Sequence, residues 1–113
     1  MAGGPGFGLE IIELYRAVSA AELADIIATG QYRVLPGGVE GKYFALSLTD
    51  ARYFRDQAVL NADSIVQSSV SQSTFGALEY GVFDYRPGVF ANLGALPGVN
   101  SDASRFGGIR KVE

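Results

Sequence analysis

The stretch LEIIELYRAVSAAELADIIATG, Leu9 to Gly30, constrains the fold more than any other part of the chain. Leu9 to Val18 is rich in Ile, Leu, Tyr and Val and reads as a strand. Ser19 follows at once, with Glu22 three residues on. That is a capping box, in which a hydroxyl and a carboxylate satisfy free N–H groups at a helix start. Leu23, Ile26 and Ile27 recur at i, i+3 and i+4 and give the helix one buried stripe, while Gly30 supplies a left-handed stop. Glu22 and Asp25 read as its solvated outer face.

The remainder continues in short elements. QYRVLPGGVEGKYFALS reads as a short strand, a turn near Pro36 to Gly38, and a second strand through Tyr43 to Leu46. In SLTDARYFRDQAVL the cap recurs, with Ser47 three residues before Asp50 and with Ala51, Phe54 and Ala58 on one face. Asp63 to Phe75 alternates weakly and reads as a strand fraying into a Ser/Gln-rich loop. Ala77 to Tyr85 is another strand, Arg86-Pro87-Gly88 a turn, GVFANL a further strand, Leu96-Pro97-Gly98 a break, and IRKVE an edge strand. Residues 1–8, MAGGPGFG, have the composition of a flexible Gly-rich leader. No strand precedes them and no Lys-Ser/Thr follows, as a phosphate loop would need. The expectation is an α+β chain with two short helices early, strands late, and one domain over residues 9–113.

Composition narrows the chemistry. At 113 residues, 48% hydrophobic and 19% charged, the chain can bury one modest core. A net charge of −3 with scattered Lys and Arg disfavours a general phosphate-binding surface. With no Cys there is no disulfide, zinc ribbon or thiol nucleophile; with no His there is no Ser-His-Asp triad and no His-based metal site. Acid–base work falls to carboxylates, Tyr or Lys. Carboxylates alone suit reactions through oxocarbenium-like states, where negative charge near a sugar carbon does most of the work. No apolar stretch approaches the roughly 20 residues that span a bilayer, and no signal-peptide pattern is present.

Three pieces hold the candidate site: LYRAVS with Arg16, GKYFALSLTDARYF with Tyr43, and ALEYGVFDY with Glu79. Tyr43 and Phe54 could sandwich a flat ring, and Gly41 would let a ligand approach the backbone. A guanidinium at Arg16 could grip a phosphate or ribose oxygen. A carboxylate at Glu79 could stabilise charge at a ribose carbon.

These pieces resemble the ADP-ribosyltransferases, including toxin domains at the ends of bacterial polymorphic secreted proteins. In the branch that includes diphtheria toxin and the poly-ADP-ribose polymerases, a Gly-x-Tyr-Phe-Ala segment and an aromatic about eleven positions on line the nicotinamide pocket. Gly41, Tyr43, Phe44, Ala45 and Phe54 are similar to it. Leu78-Glu79-Tyr80 resembles that branch's catalytic-glutamate strand, and Tyr15-Arg16 the family's first motif in its arginine version. The resemblance implies a small ADP-ribosyltransferase-like fold with split antiparallel or mixed sheets. It also implies NAD as substrate, with Arg16 and Glu79 catalytic and Arg16, Gly41, Tyr43, Phe44, Ser47 and Phe54 around the cofactor. It implies secretion within a larger protein, action on a macromolecule in a target cell's cytoplasm, a cognate immunity protein, and no metal.

Other readings stand beside this one. The aromatics suit the core of a small domain, Arg16 can pair with Glu13 at the surface, and Glu79 can be a solvated carboxylate. Asp84, Asp102 and Glu113 are alternative acids, with Asp102 favoured by its Ser-rich setting, VNSDAS. A ribonuclease toxin would use Arg16, Lys42 and Tyr43 around a phosphate. A non-enzymatic binding module would use the aromatic patch for docking.

Overall fold

The structure, a computed structural model, describes residues 10–34 and 40–113. The leader at 1–8 and the turn expected at Pro36 to Gly38 lie outside the described residues. The architecture is α+β. Six strands, β1 (Ile11–Ser19), β2 (Gly41–Ala45), β3 (Ala62–Ser71), β4 (Glu79–Phe83), β5 (Arg86–Asn92) and β6 (Arg110–Lys111), form one sheet. Their order is β4-β5-β2-β1-β3-β6, and every neighbouring pair is antiparallel. The described helices are α1 (Ala20–Thr29), α2 (Leu48–Tyr53), α3 (Gln72–Gly76) and α4 (Leu96–Arg105), and α2 runs on into a π-helical turn, Phe54–Ala58.

The expectation of split sheets is corrected, since one sheet runs through all six strands. Its continuity is uneven. β1 pairs with β3 along its whole length but meets β2 at one position, Tyr15 opposite Ala45. Two three-stranded halves are thus joined at a narrow seam.

Alternation along the strands divides the side chains between two faces. Leu14, Val18, Phe44, Val66, Val70 and Val89 join Ile26 of α1, Tyr32, and Leu96 and Val99 of α4 in the main core. Each such side chain is worth about 1.5–3 kcal/mol on burial. On the other face Ala17, Ala45 and Ile65 pack against Ala51 of α2 and Phe54. Three of the four described α-helices start where Ser hydroxyls cap them. Ser19 accepts from the Glu22 N–H, Ser47 from that of Asp50 and Ser71 from that of Thr74, and Gly30 ends α1 at φ 71°.

Several expectations change. Ile27 is 75% exposed, because the stripe that α1 buries is narrow and Leu23 and Ile26 fill it. Ala58 is exposed too, since the chain has passed into the π turn by then. Residues 31–34 carry no strand; Tyr32 instead sinks into the core. The Ser/Gln-rich segment is not a loop but the buried strand β3 followed by α3. Its polar side chains find partners: Ser68 Oγ with the Tyr32 hydroxyl at 2.7 Å, and Gln67 Oε1 with Arg110 at 2.6 Å. Arg86-Pro87-Gly88 begins β5. Pro87 is tolerated there because β2 ends opposite Gly88, leaving it paired on one side. Leu96-Pro97-Gly98 opens α4, where a missing N–H costs nothing in the first turn. Helices therefore occur late as well as early.

Candidate functional site

On the face that α2 covers incompletely, a groove of about 730 Å³ opens along the seam between β1 and β2. Ala17 and Ala45, both buried, form its floor, and their methyl groups leave the depth that larger side chains would fill. The register at Tyr15 and Ala45, carried on, sets Ala17 across from Tyr43. Tyr43, Phe54 and Phe83 line the groove, together with Gln57 and Val59. The Tyr43 ring lies 4.7 Å from Phe83 and 4.7 Å from Phe90, in edge-on and tilted contact. These neighbours hold the ring in place, yet Tyr43 keeps 48% of its surface open. Tyr43 and Phe54 thus border one groove, as the sequence suggested.

Arg16 borders the groove but does not offer its charge to it. Its position on β1 shares the face of Leu14 and Val18, and its guanidinium grips Glu22 at the start of α1 with two bonds, 2.6 and 2.9 Å. Nη1 also donates to the Tyr43 carbonyl at 2.9 Å, bridging the strands where their pairing has stopped. Lys42 Nζ lies 3.4 Å from the same carboxylate. Burial alone would raise the Glu22 carboxyl, but the Arg16 hydrogen bond, backed by Lys42, holds it below the ordinary glutamate range. Burial, with Arg16 nearby, lowers the Lys42 ammonium from its ordinary value. The expected solvated carboxylate at Glu22 is corrected to the anchor of this cluster, and the Arg16–Glu13 pairing to Arg16–Glu22.

The other predicted residues divide. Phe44 faces the main core, 1% exposed and edge-on to Tyr32 at 4.9 Å, so it is no part of the groove. Gly41 leaves room for a neighbour rather than a ligand, since a Cβ there would meet the Ala91 carbonyl at 2.3 Å and the Phe90 ring at 2.5 Å. The Ser47 oxygen caps α2. Glu79 is exposed on the edge strand β4, where Asn92 Nδ2 donates to it at 3.3 Å. Glu79 pairs with Phe90, which pairs with Tyr43. The three share a face, with Glu79 two strand spacings, roughly 10 Å, from Tyr43. Asp102 lies in α4, not in a loop, and accepts from the Ser71 N–H and hydroxyl at 2.9 and 2.8 Å. Glu113 is held by Arg52 and Arg55.

Most of the remaining lining, Phe83 among it, escaped the assignment from sequence, and Asp84, the carboxylate of the groove, was named there only as an alternative acid. Asp84 and Tyr85 form the β4–β5 turn, with φ of 52° and 72°. A two-residue hairpin turn with positive φ at both positions usually carries Asn-Gly or Asp-Gly. The usable signal was an Asp, tolerant of that backbone, between two alternating runs. Among the described residues no helix is long and apolar enough to cross a membrane. Nor do three Asp or Glu side chains there gather into a group that could hold a metal ion.

The arrangement suits a flat ring, with aromatic walls, a small-residue floor, one carboxylate in the lining, and cations engaged elsewhere. Comparison of the chain with protein-family models, with curated proteins and with solved structures finds no match.

Proposed function

We propose that this chain is an NAD-cleaving enzyme of the ADP-ribosyltransferase type. The observation that carries the reading is the groove at the seam, where Tyr43 and Phe54, the pair expected to frame nicotinamide, border one space. With the ring seated there, the ribose would extend along the sheet face toward Glu79, which shares that face with Tyr43. The glycosidic C–N bond breaks with its electron pair leaving on nicotinamide. The Glu79 carboxylate stabilises the positive charge left at the ribose carbon. A nucleophile, either a group on a target macromolecule or water, then bonds to that carbon and gives up its proton. Arg16 serves by bridging β1 to β2 behind the groove, not by gripping phosphate.

The wider reading is a toxin domain of a larger secreted protein, acting in a target cell's cytoplasm and silenced by an immunity protein that plugs the groove. The ribonuclease reading draws no support from Arg16 and Lys42, which share the Glu22 carboxylate. A docking module draws some from Tyr80 and Val82 of β4, both largely exposed. Nicotinamide release from NAD decides. Wild-type release that falls at least about a hundredfold in Glu79→Gln, in line with loss of an electrostatic stabiliser, supports the enzyme. Absence of release, with or without an added cell extract as acceptor, overturns it.

A further inference from the structure

Asp84 stands out among the groove residues because it combines an unusual backbone with an unusual position. It is the carboxylate among the groove-lining side chains, in a lining that also holds the Phe83 and Tyr43 rings. A left-handed backbone is strained at a non-Gly residue, and here two consecutive residues adopt it. That turn follows Phe83, whose ring contacts Tyr43, and carries Asp84 into the groove lining.

The charges around the groove are otherwise spent. Arg16 is bound by Glu22, Arg86 pairs with Asp50 at 3.3 Å and lies over the Tyr53 ring, and Arg55 pairs with Asp56 and Glu113. Lys42, on the opposite face of the sheet, leans on Glu22. An aromatic wall attracts positive charge to its ring faces. A carboxylate in the same lining adds to that attraction and repels anions.

We infer that Asp84 is a specificity-determining residue that makes the groove select flat rings carrying positive charge, pyridinium ions above all, over neutral rings of the same shape. This deepens the nicotinamide reading, because the ring of oxidised NAD is a pyridinium ion whereas free nicotinamide and the reduced cofactor's ring are neutral. It also assigns Asp84 a role apart from bond cleavage. Nicotinamide leaves as a neutral ring, so a carboxylate beside it favours the bound substrate more than the departing product.

The test is an NMR titration of the full chain with 1-methylnicotinamide, a cation methylated at the ring nitrogen, and with nicotinamide, its neutral counterpart. The wild type is expected to bind the cation at least about fivefold more tightly. Asp84→Asn, whose side chain tolerates the left-handed backbone equally well, is expected to abolish that preference while still binding the neutral ring. Tyr43→Ala is expected to weaken both. If NAD is cleaved, Asp84→Asn raises KM without lowering kcat. Equal wild-type affinities, a preference that survives Asp84→Asn, or no binding of either ring overturns the inference. A cation preference without NAD cleavage would leave this inference standing and remove the enzymatic reading; cleavage without a preference would do the reverse.

Discussion

Successive side chains on β2 point to opposite faces, so Tyr43 and its neighbour Phe44 answer to different surroundings. Phe44 is enclosed by Tyr32 and the aliphatic core, while Tyr43 leans on two other rings and stays half open to the groove. Truncating the two therefore separates folding from binding. Phe44→Ala is expected to cost about 3–5 kcal/mol, the range for emptying a buried aromatic site. Tyr43→Ala is expected to cost about 1 kcal/mol, through its edge contacts alone, yet to lower nicotinamide release at least about tenfold. Urea denaturation and a release assay on the same preparations check both. A Tyr43→Ala protein as unstable as Phe44→Ala would return this residue to the core.

The hairpin of β4 and β5 stands on a turn whose backbone its residues do not favour. Tyr85 carries a φ of 72° with its ring 86% exposed, so little packing offsets the strain. Tyr85→Gly is expected to stabilise the protein by about 0.5–1 kcal/mol, the relief of strain exceeding the added freedom of the unfolded chain. That corresponds to a rise in Tm of roughly 2–5 °C by calorimetry; a fall would mean that the ring is held by contacts it lacks in this structure. The same hairpin shows where sequence reasoning reached and where it stopped. Ser19, Ser47 and Gly30 were legible because a cap acts within three or four residues of itself. The turn was misplaced at Arg86-Pro87-Gly88 because proline and glycine are strong local signals, whereas which residues turn was decided by the pairing of β5 with β2. The Ser/Gln-rich second half of β3 read as a loop for a similar reason. Its serines look solvated until Tyr32, Asp102 and the neighbouring strands supply partners distant in sequence. Tyr43 and Phe54, which border one groove, were paired through the resemblance to a Gly-x-Tyr-Phe-Ala segment with a later aromatic. Asp84 stood only among three alternative acids and Phe44 between core and cofactor site, because the choice in each case depends on how strands are ordered.

At the scale of the whole molecule, the two halves of the sheet are joined by one paired position and by a cluster of charges. Arg16 reaches from β1 to the Tyr43 carbonyl on β2, and Glu22 holds both Arg16 and Lys42, so α1, β1 and β2 share one carboxylate. Farther off, Asp102 ties α4 to the end of β3, where burial would raise its carboxyl but hydrogen bonds from Thr74 and Ser71 keep it below the ordinary aspartate value. Glu113, clasped first by Arg52, is lowered as well. Each of these groups has a folded pKa below its unfolded one, so the unfolded chain binds more protons in acid. Their stabilisation is complete above the unfolded carboxyl range, near pH 4–4.5, and is lost as pH falls through the lower folded values. Thermal stability is therefore expected to be flat with respect to these groups from neutrality down to about pH 5 and to drop below it. Glu22→Gln should show the seam's share. At pH 7 it leaves Arg16 and Lys42 without their anion, at a cost of about 2 kcal/mol for a pair that keeps some solvent contact. As pH falls below the unfolded glutamate range and then through the lower folded value, wild-type Glu22 gains its proton, so the two melting curves should converge. Calorimetry of both proteins between pH 3 and pH 7 measures this, and a gap that stays constant across that range would mean that Glu22 supports the seam by packing instead of by charge.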